Sequence, residues 1–249
     1  PLPVKEPGME DVPVDAQALP PRAPGSTPSV LPQSNSVQPV TPIPIPANPF
    51  PGEEVLIQVS TGKSHFVISN RGGVLKQLEL PRFKNDSGDI IDLINNPDHL
   101  TPALALRAND PEITSILQNA HYEASTTSIV LDESIPEGKL TLTLNHSSGI
   151  KVTRTYVFHY NDFMVELDTQ ISAPSLAARN LQYDVVLGPG MGGKIASQTD
   201  YIVFSGATVF VNNERIENPP EDIHDTVYYK GDLKWAAFQN KYFGSALIP

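Results

Sequence analysis

The chain has 249 residues, a formal net charge of −11, 25 prolines and no cysteine. Without cysteine there are no disulfides and no thiol nucleophile or thiolate metal ligand, and the acidic balance argues against nucleic acid or anionic lipid as partner, because both present phosphate. The length suffices for one sizeable core.

Residues 1–52 form a proline-rich stretch with Phe50 as its first aromatic residue. Proline fixes φ and removes a backbone donor, so a run with proline at nearly every second position between Pro39 and Pro49 enters neither helix nor sheet. The stretch reads as a semi-rigid solvated spacer. A PxxP-type ligand at Pro20, Pro21 and Arg22 or between Pro42 and Pro46 is the alternative, and the spacer reading is preferred. Lys5 and Arg22 stand there against Glu6, Glu10, Asp11 and Asp15, a net −2 that leaves −9 on residues 53–249. There is no cleavable signal and no apolar run long enough to span a bilayer. With Pro1 rather than Met at its start, the chain is expected to be an excised soluble segment of something longer.

From Glu54 onward apolar and polar residues alternate with period two, the signature of half-buried strands. Segments 55–60 and 65–69 flank a turn at 61–64 and are expected to form a hairpin. Arg71, Gly72 and Gly73 lead into a strand at 74–80, with Val74, Leu78 and Leu80 expected on one face. Asp110 before Pro111 marks the start of a two-turn helix over 111–118. Segments 139–145, 150–158 and 163–171 are joined by turns too short for a parallel crossover, which predicts an antiparallel meander. Further strands are expected at 181–187, 201–204, 208–211, 226–229, 235–238 and 242–248. The fold class expected is all-β, a predominantly antiparallel sandwich with few short helices.

Several constellations invite a chemical reading. Gly188, Gly193 and Lys194 satisfy the spacing of a phosphate-binding loop, but Ile195 stands where a magnesium-binding hydroxyl is needed, and 196–204 reads as loop and strand. A glycine-rich loop closing one end of the sandwich is the better reading. The histidines at 65, 99, 121, 146, 159 and 224 are scattered singly, so any metal site would have to be assembled from distant strands. The adjacent pairs Glu53 and Glu54, Asp132 and Glu133, and Glu221 and Asp222 lie at turns and face opposite ways, unlike an acid and base flanking one bond. No serine sits in a nucleophile elbow. Trp235, Phe238, Tyr242 and Phe243 are read as hairpin core ahead of a sugar-stacking platform. No catalytic, cofactor or metal residue is therefore assigned, and no enzymatic activity is expected.

Residues 231–249, with Trp235 followed by Gln239, the aromatic pair Tyr242 and Phe243, and the closing Ile248 and Pro249, closely resemble a segment of the periplasmic domain of the bacterial membrane-protein insertase family YidC. Residues 69–81, 152–158 with Asn161, Asp162 and Phe163, and 188–190 resemble the same domain in the same order. The resemblance runs from about Glu54 to Pro249, and the proline-rich stretch fits the variable linker that such proteins carry after their first transmembrane helix. It implies a twisted β supersandwich similar to galactose-mutarotase-like proteins, held at the periplasmic face of the inner membrane as a non-catalytic interaction and scaffold domain. It also implies partners reached through the full-length protein: nascent membrane proteins and the Sec translocon, SecF in particular. In that family more strands follow the Ile-Pro pair, so a sheet truncated after Pro249 is expected to present an open edge. The alternative of a different class is a carbohydrate-binding or aldose-epimerase-like sandwich, which needs an imidazole acid and a carboxylate base converging in a cleft.

Overall fold

The computed structural model describes residues 52–94, 100–174, 180–188, 190–191 and 204–249. In chain order the strands are β1 (Leu56–Ser60), β2 (His65–Ser69), β3 (Val74–Lys84), β4 (Ile90–Asp92) and β5 (Leu106–Ala108). Helix α1 (Pro111–Asn119) follows, then β6 (Glu123–Ala124), β7 (Ser128–Val130), β8 (Glu137–Asn145), β9 (Lys151–His159) and β10 (Val165–Ser172). The last five are β11 (Tyr183–Val185), β12 (Gly206–Val211), β13 (Glu214–Asn218), β14 (Leu233–Gln239) and β15 (Gly244–Leu247). They form sheets of order β4-β3-β2-β1-β7, β10-β9-β8-β6, β11-β5 and β13-β12-β14-β15. Every described pairing is antiparallel except β1 with β7. The protein is an all-β sandwich with one short α-helix among the described residues, and no described helix is long and apolar enough to cross a membrane.

The core lies between the first two sheets. Ile57 and Val59 of β1, Phe66 and Ile68 of β2 and Leu75 of β3 meet Leu140, Leu142 and Leu144 of β8 and Val152, Tyr156 and Phe158 of β9. Alternation along β8 and β9 sends these residues inward while Thr141, Thr143, Thr153 and Thr155 stay half-exposed on the outer face. Phe66 and Phe158 pack with ring centroids 5.3 Å apart across the sheets. Each such side chain contributes about 1.5–3 kcal/mol on burial. Gly138 lets the two layers close at one end, because a Cβ there would lie 2.6 Å from Ile129 Cγ2 of β7.

Helix α1 forms where its cap signals stand. Asp110 accepts from the backbone N–H groups of Glu112 and Ile113, Pro111 occupies the first turn, and Ile113, Ile116 and Leu117 cover the core. The hairpin of β1 and β2 and the meander of β8, β9 and β10 stand where alternation places them.

Two local expectations need correction. The register of β2 against β3 shifts at Val67 and Ile68, pairing Phe66 with Leu78 and Ile68 with Leu75. That bulge brings Leu75, rather than Val74, onto the core face with Leu78. Residues 226–229 are not a strand, and Val227 and Tyr228 are 52% and 80% exposed. The segment pairs with no described strand, although β13 and β15 each keep an unpaired outer edge among the described residues. Residues 201–203 and the proline-rich stretch through Pro51 lie outside the described residues.

Candidate functional site

The glycine-rich segment contributes to an apolar cavity of about 210 Å³. Gly188, Gly190 and Met191 form one wall, and Met191 bridges to Ile94 beyond β4. Thr208 and Val209 of β12 and Phe238 of β14 face them. Pro189 and residues 192–203, including Gly193, Lys194 and Ile195, lie outside the described residues. The only polar side chains among the described lining residues are Thr208 and Ser245, and the Thr208 hydroxyl is buried without a hydrogen-bond partner. Apart from these two hydroxyls the described lining is apolar. Among the described lining residues there is no acid or base.

The described histidines stand apart from one another. His65 Nδ1 lies 3.3 Å from Glu79, and His146 Nδ1 lies 2.8 Å from the Ser148 hydroxyl. His159, on the outer face of β9, has Nε2 3.2 Å from Glu166 and Nδ1 3.9 Å from Glu137. These two carboxylates approach opposite nitrogens, so they bracket the ring instead of converging with it on one point. His121 has a buried Nδ1 without a partner, closed over by the backbone of Gly52. His224 falls in an exposed bend and His99 lies outside the described residues. Among the described residues no three histidine, aspartate or glutamate side chains form a group that could hold a metal ion.

One carboxylate from each of two adjacent pairs, Asp132 and Glu54, serves local structure, and Asp162 does likewise. Asp132 accepts from the Ser134 hydroxyl (2.6 Å) and from the N–H groups of Ser134 and Ile135, which holds its carboxyl below the ordinary range. Asp162 is held low by the N–H groups of Met164 and Phe163 in the same way. Glu54 accepts from the Ser69 hydroxyl at 2.6 Å, and that bond, together with Lys76 at 3.5 Å, lowers its pKa from 4.5 against an opposing contribution from burial. Because the folded state favours the ionised form, the stabilisation is complete above the unfolded value and is lost as pH falls through the folded one. The protein should therefore lose stability on acidification below about pH 4.5, and Glu54→Gln, which keeps the acceptor but cannot titrate, should flatten that loss. Urea midpoints measured across that pH range check this. Parallel curves for the two proteins would refute it.

The aromatic residues near the carboxyl end do not form one platform. Trp235 stacks on Phe210 of β12 with centroids 5.8 Å apart, and Phe243 meets Phe83 of β3 edge-on at 5.6 Å. Phe238 lines the cavity and Tyr242 is 73% exposed. Trp235 and Phe243 pack on aromatic neighbours but stay half-buried and outside the buried core, and Tyr242 is exposed, so the hairpin-core expectation is met by local packing alone.

The buried site that the sequence reading left unassigned is Arg154. It lies on β9 in phase with Val152, Tyr156 and Phe158, and it is fully buried. Its Nη1 donates to the carbonyls of Gly73 (2.5 Å) and Gly72 (3.3 Å), and its Nη2 to that of Leu104 (2.8 Å). No carboxylate pairs with it among the described residues, and its Nε has no partner. Tyr156 donates its hydroxyl to the same Gly73 carbonyl at 2.7 Å, and the guanidinium carbon stands 5.4 Å from the Tyr156 ring centre. Burial pushes the phenols of Tyr156 and Tyr122 upward, with the guanidinium pulling the other way, so both remain donors at neutral pH. The phase of Arg154 within an otherwise apolar row is the sequence signal that exposes it. Its contacts are to backbone in the core and reach no open surface, so the cluster clasps loops together.

Residues 56–249 match the family model described as the YidC periplasmic domain. A protein of Geobacter sp. (strain M21) named membrane protein insertase YidC is 29% identical over 202 residues, which span 77% of this chain and 35% of that protein. One of the same name from Cupriavidus metallidurans is 26% identical over 245 residues, 94% of this chain and 42% of the relative. A third, from Pelobacter propionicus, is 22% identical over 213 residues, covering 82% and 37%. The chain thus spans between about a third and two fifths of the curated relatives it matches.

Proposed function

Since the chain belongs to the YidC periplasmic domain family, we propose that it acts as a non-catalytic interaction and scaffold domain of an inner-membrane insertase, displayed at the periplasmic face. Residues 1–52 serve in this reading as a proline-rich tether and 53–249 as the displayed domain. Its partners are nascent membrane proteins and components of the Sec translocon, SecF among them, reached while the insertion step itself belongs to membrane-embedded parts of the same protein. The family match across 56–249 is the observation that carries the reading. The relatives' shared name adds support, as does an apolar cavity suited to holding a side chain.

The carbohydrate reading draws less support. Sugar sites orient several hydroxyls through convergent amides and carboxylates, whereas the described cavity lining offers two hydroxyl side chains among apolar ones. Trp235 stacks on Phe210 and is half-buried.

The test is site-specific photo-crosslinking from exposed positions, Tyr228, Tyr242 and Phe163, in the full-length protein in its native membrane. Adducts with Sec components or with an arrested nascent membrane protein are expected from at least one position. Adducts to lipid alone from every position would overturn the proposal.

A further inference from the structure

Among the described residues β10 pairs only with β9, and no other described strand pairs along its second edge. It is 8 residues long and continuously paired to β9, with no register shift, and it contains no proline and no lysine. Those are the devices by which edge strands are normally blunted. In an antiparallel pair, alternate residues turn their N–H and C=O groups away from the partner strand. The Tyr183 hydroxyl donates to the Thr169 carbonyl from outside the pair at 3.2 Å, which places Thr169 in the outward set and, by alternation, Val165 and Leu167 with it. Tyr183 covers the second half of the edge, and no described residue hydrogen-bonds along the first half.

The side chains around that first half have a definite chemistry. Val165 and Leu167 are half-buried at the margin of the core. Phe163 and Met164 immediately before the strand are 53% and 56% exposed. Glu166 and Asp168 project from the outer face, Glu166 toward His159 and Asp168 toward the Gln170 amide, with the ionised Asp162 close by. The Phe163 ring already holds one ammonium, Lys63 Nζ, 4.9 Å from its centre.

We propose that the first half of β10, with Phe163 and Met164, is a docking edge for an extended polypeptide in which apolar residues alternate with lysine or arginine. Such a segment continues the sheet through the outward groups of Val165 and Leu167. Its apolar side chains extend the margin of the core, and its cations lie opposite Glu166 and Asp168. Charge decides the occupant. A second copy of this chain pairing β10 to β10 would set carboxylates against carboxylates, which destabilises a cross-strand pair, whereas a basic strand gains at the same positions. The inference deepens the interaction-domain reading and rests on it for the source of the polypeptide.

The test uses the 249-residue chain and two synthetic peptides matched to the length of β10, one alternating lysine with valine and leucine, the other with glutamate in place of every lysine. Binding is followed by calorimetry and by amide hydrogen exchange. The lysine peptide should bind, weaken with added salt, and slow exchange at the amides of Val165 and Leu167; the glutamate peptide should not bind. The charge reversal E166K/D168K should weaken the lysine peptide about tenfold or more and admit the glutamate peptide. Phe163→Ser, which leaves the strand intact, should weaken the lysine peptide as well. Equal binding of both peptides, binding without protection of those two amides, or edge-mediated dimers in place of peptide binding would each overturn the proposal. Binding of Phe163 and Met164 to phosphatidylglycerol vesicles with no peptide binding would do the same. If peptide binding fails while crosslinks to Sec components persist, the edge alone is wrong and the interaction-domain reading stands.

Discussion

Arg154→Ala should destabilise the domain by about 3–5 kcal/mol or more, a large share of the roughly 5–15 kcal/mol that holds a typical domain folded. The guanidinium reaches three carbonyls, those of Gly72, Gly73 and Leu104, on two loops distant in sequence from β9. Truncation to alanine leaves a cavity and deprives the Gly72 and Leu104 carbonyls of the donor that served them. Each unsatisfied group costs about 1–3 kcal/mol. The Gly73 carbonyl keeps the Tyr156 hydroxyl. Two further variants separate charge from geometry. Arg154→Lys preserves the cation, but a single ammonium cannot reproduce a fork that spans Gly73 and Leu104, so most of the loss should remain. Arg154→Met restores volume and removes a desolvated cation with no carboxylate beside it, so it should fall between the parent and the alanine variant. Urea unfolding gives the order directly. An alanine variant within about 1 kcal/mol of the parent would mean that the clasp contributes little.

The same residue marks the boundary of what alternation reveals. The meander was legible because strands buried on one face must alternate, and a one-residue slip would turn every core side chain outward. The helix was legible because Asp110 and Pro111 are local signals needing no tertiary context. Strands β4, β5 and β7, of three residues each, carry too few positions for a period to emerge. Strand β13 was missed because only Ile216 in it is apolar. The readable sign there is the turn: Asn212 and Asn213 both adopt positive φ, at 52° and 63°, as a two-residue hairpin loop between β12 and β13 requires. Residues 226–229 erred the other way, since local β character alone does not make a segment pair with a strand, even where β13 and β15 leave an edge unpaired.

For the candidate surfaces the limit is tertiary. The cavity is assembled from four stretches of chain far apart in sequence, around Ile94, Met191, Thr208 and Phe238, and no local pattern announces it. The β10 edge is a statement about which strand lies beside which, and alternation within a strand is silent on its neighbours. The sandwich was legible from one-dimensional periodicity, while the surfaces that could meet a partner are properties of the assembled sheets.

Gly72→Ala should cost about 3 kcal/mol or more, and the reason is the backbone it touches. Gly72 has φ of +71°, and a Cβ there would lie 2.6 Å from the Gln118 carbonyl oxygen in the last turn of α1. That contact cannot be relieved by rotating a side chain, because main chain stands on both sides. The Gly72 N–H also donates to the Ala120 carbonyl at 3.0 Å, and the Gly72 carbonyl accepts from Arg154, so any shift that relieves the clash breaks one or both bonds. Gly88, in the turn between β3 and β4, supplies the control. Its φ is +89° and nothing lies within 4 Å of the position a Cβ would take. Gly88→Ala should therefore show the left-handed strain alone, about 1–2 kcal/mol, and the difference between the two variants isolates the contact with the helix. Because Gly72 and Arg154 share a hydrogen bond, the Gly72→Ala and Arg154→Ala losses should fall short of additivity by about 0.5–3 kcal/mol, whereas Gly88→Ala should add to either. Thermal or urea unfolding of the single and double variants measures all of these terms. Equal effects at Gly72 and Gly88 would mean that the turn moves freely against α1, and the clasp centred on Arg154 would then hold a loop that has no need of it.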